Sequence, residues 1–242
     1  MKAGTVTACT ITSMNLLCGV VGVVFAFGGR LDLAFVMMLC AAVCDFVDGF
    51  AARLLHGQSE FGKQLDSLCD AVSFGVLPAV MLHVLTRDCM FGESLVCYVP
   101  LLIAVFAVLR LARFNAAGEE TDSFKGLAAP AAALLTGSLC SLVAHDPAGP
   151  FALLASSGVF TIAYTAIVCC LMVSRIPMMS LKLHRDDSRE LQSKRICLAA
   201  AVLLCIGFTF ITGRHWTLAV NLSVLVYVFL NLVLALAGPK HE

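Results

Sequence analysis

The chain has 242 residues, of which 60% are hydrophobic and 13% charged, with a mean hydropathy of +0.94 and a formal net charge of zero. A soluble domain carries about 25% charged residues, so this composition excludes an ordinary soluble globular protein and points to a polytopic membrane protein. Charge neutrality argues against a nucleic-acid partner.

The apolar sequence divides into about eight spans, near 11–27, 32–53, 64–85, 97–114, 127–144, 151–172, 196–212 and 216–237. Each is too long for a strand and suits a membrane helix, so the expected fold is all-α, a polytopic membrane helix bundle of about eight transmembrane helices. With the N-terminus placed inside, 13 of the 16 Lys and Arg fall in inner segments, and only Arg30, Arg87 and Arg214 fall outside. That bias sets the expected orientation. The N-terminus has one Lys and no small-residue cleavage site before Gly28-Gly29, so no cleavable signal peptide is read. The 12 Cys include no CxxC pair. They read as small buried hydrophobes in a reduced setting, with the adjacent Cys169 and Cys170 on different sides of one helix.

The first span places Thr12 and Asn15 in apolar surroundings, TITSMNLLCG. They suit either an interhelical polar contact or the binding of a polar ligand group.

The second and third spans flank the chemically informative stretch, DFVDGFAARLLHGQSEFGKQLDSLCD, from Asp45 to Asp70. Asp45 and Asp48 are three apart, and Asp66 and Asp70 four apart, spacings that stack each pair on one helix face. A central Asp costs about 2.5–3.5 kcal/mol to insert in a membrane. Four without partners would therefore cost roughly 10 kcal/mol, the size of a whole domain's stability. One arginine cannot neutralise four carboxylates, but divalent cations can, and Mg²⁺ typically completes its shell with substrate phosphates. The residues thus point to a carboxylate-bound metal site acting on a phosphorylated substrate, against the plainer reading of aspartates capping helix ends in water. Gly49 and Ala52 leave room for close ligand approach or close helix packing. Arg53 offers a planar fork for phosphate, or an interfacial anchor. Pro78 is expected to kink the third helix.

Written as Asp45-x2-Asp48-Gly49-x2-Ala52-Arg53-x8-Gly62-x3-Asp66-x3-Asp70, this stretch resembles the signature of the CDP-alcohol phosphotransferases, with every fixed position filled. The resemblance implies a CDP-linked lipid bound through its pyrophosphate to two divalent ions, Mg²⁺ or Mn²⁺. Asp45, Asp48, Asp66 and Asp70 would supply the metal ligands, with Asp70 also the general base. Thr12, Asn15, Gly49, Ala52, Arg53 and Gly62 would belong to the CDP-lipid side; Thr12-x2-Asn15 matches a pattern frequent in the family.

The fourth span ends VLRLARFNAAG, placing Arg110 and Arg113 at i, i+3. Alone they read as positive-inside anchors, but Asn115 and Lys125 follow, leading into GLAAPAAALLTG. Two Arg and a Lys beside a metal site suit an anionic group, a phosphate or a carboxylate. LRLARFN with F-x-GL-x-x-PAAA, NLLCG in the first span and SFGVLPA after Asp70 resemble the bacterial-type phosphatidylserine synthases within the family. Ala128 and Leu77 depart from the residues frequent there, and neither removes a reactive group.

This closer resemblance implies transfer of a phosphatidyl group from CDP-diacylglycerol to L-serine, giving phosphatidylserine and CMP, with Arg110, Arg113, Asn115 and Lys125 on the acceptor side. It implies a homodimer, and the Lys and Arg bias places the Asp45–Asp70 hairpin at the cytoplasmic interface of the cell (inner) membrane. Residues 1–242 are expected to form one integral-membrane catalytic domain, with the signature at 45–70 and the acceptor side at about 110–135. The rival readings are another acceptor, glycerol 3-phosphate or inositol phosphate, and, in a different class, a cation transporter whose carboxylates line an ion path. A non-catalytic scaffold would leave four facing Asp unexplained. The segment from Arg175 to Arg195 reads as a solvated basic loop or a short interfacial helix, and the last three spans carry no motif.

Overall fold

A computed structural model describes residues 3–54, 59–90, 94–117, 126–176 and 189–237. The side chains of Ala52 and Arg53, the whole of Lys125 and most of the basic segment from Arg175 to Arg195 lie outside the described residues.

Every regular element among these residues is helical. α1 (Ala3–Phe27) and α2 (Leu31–Leu54) form an antiparallel pair, turned by Gly28 and by Gly29, whose φ is +74°. α3 (Glu60–Asp70), a π-helical stretch (Ala71–Val76) and α4 (Leu77–Cys89) run on as one rod. A 3₁₀ stretch (Leu95–Leu101) containing Pro100 leads into α5 (Leu102–Ala117). Then follow α6 (Ala129–His145), the short α7 (Pro150–Ala155), α8 (Gly158–Val173), α9 (Arg189–Ile211) and α10 (Thr217–Ala237).

Among the described residues, five helical stretches are long and apolar enough to cross a membrane: Cys9–Phe27, Leu31–Ala51, Glu60–Cys89, Leu95–Ala116 and Thr217–Ala235. Three shorter apolar helices, Ala129–His145, Gly158–Val173 and Leu198–Ile211, complete the set. The chain is an integral membrane helix bundle, and each of the eight expected spans has a helical counterpart. The expected sixth span is interrupted at Ser156-Ser157, where α7 stops and α8 begins. The third span turns π-helical over Ala71–Val76, just before Pro78. Pro78 sits in the first turn of α4.

The α3–α4 rod forms the centre of the bundle. Of its apolar window 67% is buried, against 28% or less in the other long spans. Phe74, Leu77 and Met81 of the rod pack with Phe35 and Met38 of α2, Ile103 of α5 and Ala132 and Ala133 of α6 in one core. The outer faces of α1, α5 and α10 carry exposed apolar side chains such as Val24, Val105 and Phe229. A lipid environment covers such faces at no cost. Cys169 is buried and Cys170 exposed, on opposite sides of α8 as expected.

α1 meets the rod at a glycine. A Cβ on Gly19 would land on Ser73 Oγ and lie 3.0 Å from Ser73 Cα. Gly19→Ala is therefore expected to destabilise the fold by about 1–3 kcal/mol through overpacking. The readout is thermal melting in detergent, where a chain of this size loses roughly 2–4 °C per kcal/mol; an unchanged melting temperature would show that α1 does not approach the rod so closely.

Candidate functional site

The site forms at the end of the bundle where α2 finishes and α3 begins, with α1 packed against both. Asp45 and Asp48 lie on the last turns of α2, Asp66 in the middle of α3 and Asp70 at its end. α3 starts at Ser59, whose hydroxyl caps the helix by accepting the Gly62 N–H at 3.0 Å. This bond uses the Gly62 amide internally, so Gly62 serves the start of the helix rather than offering an N–H to a ligand. Gly49, by contrast, faces open space: a Cβ built there meets nothing within 4 Å.

Asp45, Asp48 and Asp66 each offer an oxygen within 4.8 Å of the others, a grouping able to hold a metal ion. Asp48 is 5% exposed, and its Oδ2 and Asp66 Oδ1 are buried oxygens with no hydrogen-bond partner among the described residues. Buried carboxylate oxygens without partners are costly, and no ion pair to these three aspartates occurs among the described residues. Three hard oxygen donors converging in this way fit a divalent cation. Thr12, 5% exposed on α1, hydrogen-bonds Asp48.

Asp70 stands apart from this trio while keeping Asp45 and Asp66 as electrostatic neighbours. Its Oδ1 accepts a hydrogen bond from Asn15 Nδ2 at 3.2 Å. Asn15 is fully buried, and its own backbone carbonyl accepts the Ser73 hydroxyl at 3.1 Å. The turn carrying Asp70 and Ser73 thus clamps Asn15 from both sides just where the rod becomes π-helical. Such stretches recur at functional sites because they re-aim side chains within a helix. Ser73 bore no chemical signal in the sequence, and its part is visible only in this contact.

The acceptor-side residues separate. Arg110 is half-buried, and its guanidinium has the Asp70 carboxylate and the Tyr227 phenol as electrostatic neighbours. Its Nε is buried with no hydrogen-bond partner among the described residues. Arg113 is exposed and donates from Nη1 to the Val173 carbonyl at 3.2 Å, capping the C-terminal end of α8. Asn115 Nδ2 donates to Ser67 Oγ at 2.8 Å, tying the end of α5 to α3 between Asp66 and Asp70. Gly126 closes this side. Its N–H donates to Ile176 O at 2.9 Å, its φ is +79°, and a Cβ there would lie 2.6 Å from Met172 O, so only glycine fits. Arg110 thus has Asp70 as an electrostatic neighbour, while Arg113 and Asn115 make contacts that hold α8 and α3. Tyr227 and Ser67 are the residues the sequence did not single out; neither carries a spacing or charge signal.

The opposite end of the bundle holds different groups: Ser141 bonded to Asp32, Asp146 paired with Arg214 at 3.5 Å, and the stacked rings of His145 and His215.

Comparison with known proteins gives a family and named relatives. The family model described as CDP-alcohol phosphatidyltransferase matches residues 5–164, which include every described site residue except Tyr227. A CDP-diacylglycerol–serine O-phosphatidyltransferase of Mycobacterium tuberculosis is 34% identical over 207 residues, covering 80% of this chain and 69% of the relative. One of Bacillus subtilis is 28% identical over 182 residues, covering 75% of this chain and 94% of the relative. The archaetidylserine synthase of Methanothermobacter thermautotrophicus is 35% identical over 133 residues, 53% of this chain and 54% of that protein.

Proposed function

The chain belongs to the CDP-alcohol phosphatidyltransferase family, and from that premise we propose that it transfers a phosphatidyl group from CDP-diacylglycerol to the hydroxyl of L-serine, giving phosphatidylserine and CMP. The observation that carries the reading is the convergence of Asp45, Asp48 and Asp66 beside Asp70 and Arg110. The names of the relatives from M. tuberculosis and B. subtilis support the donor and the acceptor.

Asp45, Asp48 and Asp66, with Asp70 at their edge, would hold two divalent ions, Mg²⁺ or Mn²⁺. When bound, the ions would neutralise charge on the pyrophosphate of the donor. Asn15 and Thr12 orient Asp70 and Asp48 from α1. The open face at Gly49 leaves space for the donor head group; Ala52 and Arg53 follow on the same helix, with Arg53 assigned to phosphate. Gly62 takes part only through the α3 cap.

In the reaction the serine hydroxyl oxygen attacks the lipid-linked phosphorus, and the bond from that phosphorus to the oxygen of CMP breaks. CMP departs with the electron pair, and the hydroxyl proton goes to Asp70. Asn15 holds Asp70 Oδ1, which leaves Oδ2 as the oxygen that receives it. Arg110 binds the serine carboxylate beside Asp70, an arginine fork being matched to that group. Arg113, Asn115 and Lys125 complete the acceptor side, the first two by holding its walls. The whole chain, residues 1–242, acts as one catalytic domain in the cytoplasmic membrane with this site facing the cytoplasm, supported by the Lys and Arg bias. The family resemblance supports a homodimer.

The test is to offer the purified chain CDP-diacylglycerol with serine, glycerol 3-phosphate or inositol phosphate separately and to identify the lipid formed. Phosphatidylserine with serine, and no lipid product with the others, is expected. A product with another acceptor keeps the family and overturns the serine assignment.

A further inference from the structure

α1 carries no carboxylate, yet it gives polar contacts to two of the site's four aspartates. Thr12 and Asn15, three apart and so on one helix face, reach Asp48 and Asp70 respectively. Whatever fixes α1 along the rod therefore fixes how those carboxylates are presented. Ser73 does this directly. It is fully buried in the π-helical stretch, and its Oγ donates to the Asn15 carbonyl at 3.1 Å.

A buried hydroxyl on a helix commonly satisfies itself locally. Thr86, Thr136 and Thr209, all buried, donate to the carbonyl four residues earlier on their own helices. Ser73 instead crosses to α1. It does so within the stretch where the backbone bonds of the rod shift to the residue five back, as from Leu77 N–H to Val72 O. The Asn15 carbonyl, inside α1, already has the helical N–H four residues on as a donor, so α1 does not need the crossing bond to be satisfied. Gly19, one turn beyond Asn15, makes the approach possible, because a Cβ there would land on Ser73 Oγ. Asp70 and Ser73, three apart on the rod, thus grip one residue of α1, the first by its side-chain amide and the second by its backbone.

A carboxylate has two equivalent oxygens, and a half-turn of the group exchanges them. Asn15 Nδ2, 3.2 Å from Oδ1 of Asp70, removes that equivalence. The rest of the Asn15 amide offers no second anchor, since its Oδ1 is buried with no partner among the described residues. Its backbone is the other point at which it can be held, and Ser73 holds it there. We propose that Ser73 is a positioning residue for Asp70: by pinning the backbone at Asn15 it keeps the amide on Oδ1 and leaves Oδ2 turned to the incoming hydroxyl. The proposal rests on the reading above, in which Oδ2 takes the proton of the serine hydroxyl, and adds to it a residue that acts only through another.

Because Ser73 bonds the backbone of residue 15 and not its side chain, its two effects can be separated. Ser73→Ala is expected to lower kcat about tenfold, the size of one hydrogen bond. KM for serine and for CDP-diacylglycerol should stay close to the wild type, while the melting temperature in detergent falls slightly. Asn15→Leu keeps the volume and removes the amide, but leaves the bond from Ser73 to the backbone in place. In that background Ser73→Ala should lower the melting temperature by the same amount and leave kcat where Asn15→Leu put it. If Asn15→Leu does not fold, Asp70→Asn serves as the background, and Ser73→Ala should again add no loss in single-turnover CMP release. An unmoved kcat in Ser73→Ala, or the same loss in either background as in the wild type, would overturn the assignment. So would a rise in both KM values with kcat kept, which marks a residue that only shapes the fold around the site. Wild-type protein that forms no lipid from CDP-diacylglycerol and serine would overturn the underlying activity and the proposal with it, a result distinct from all of these.

Discussion

Asp66→Asn is expected to abolish product formation, with a loss of about 10³-fold or more, and to weaken CDP-diacylglycerol binding at the same time. Asp66 supplies one of three oxygens that lie within 4.8 Å of one another, and its Oδ1 is buried without a partner among the described residues. The neutral amide has nearly the same volume, so the helix and its packing survive while a metal ligand is lost. Several kcal/mol of charge stabilisation goes with it, and about 4 kcal/mol corresponds to 10³ in rate. Stability should move the other way. In the absence of divalent ions, removing one of four mutually repelling carboxylates relieves the repulsion, so the variant should melt higher than the wild type in chelator. Added Mg²⁺ or Mn²⁺ should then stabilise the wild type and do little for the variant. Loss of activity with a lowered melting temperature in chelator would point to ordinary misfolding instead.

Asp70→Asn should reduce turnover by a similar factor yet leave much of the CDP-diacylglycerol binding in place. A positioned general base contributes 10²–10⁴-fold, and Asp70 lies outside the trio of closest-set ligand oxygens while neighbouring Arg110. The amide can still meet Asn15 with one hydrogen bond, so the clamp between α1 and the rod persists. Equilibrium binding of a fluorescent CDP-lipid, measured beside single-turnover CMP release, separates the two effects. Near-full activity in Asp70→Asn would remove it as the base. Equal damage to binding and turnover would make it a metal ligand first.

The pair of variants shows which parts of the site could be read from the chain. The two Asp pairs and their spacing were legible because a charged residue in apolar sequence is costly and two helical periods fix which residues share a face. The spans were legible for the same reason: long apolar runs are rarely anything but membrane helices. The fine structure of the rod was not. Nothing in AVSFGV marks a π-helical stretch. The gap at Ser156-Ser157 had a visible signal, two serines before a glycine, but the apolar residues on both sides hid it. Arg110 and Arg113 looked equivalent in sequence. The structure separates them: Arg113 caps the end of α8, while Arg110 has Asp70 as an electrostatic neighbour. Tyr227 lies in VLVYVFL, where an aromatic is unremarkable, and its relation to Arg110 spans more than a hundred residues of chain that no local pattern connects.

The transporter reading called for carboxylates along a path near the bilayer midplane. The aspartates instead gather where α2 ends and α3 begins, beside Arg110, while the opposite end carries its own separate ion pair of Asp146 and Arg214. That arrangement fits a reaction at one interface rather than passage between two.

The most direct measurement is CMP release from CDP-diacylglycerol and serine by the purified chain in detergent, first stripped with chelator and then titrated with Mg²⁺ or Mn²⁺. The account predicts no release from stripped protein, and recovery on adding either ion in wild type but not in Asp66→Asn. Undiminished release in excess chelator would contradict a carboxylate-held metal centre at Asp45, Asp48 and Asp66.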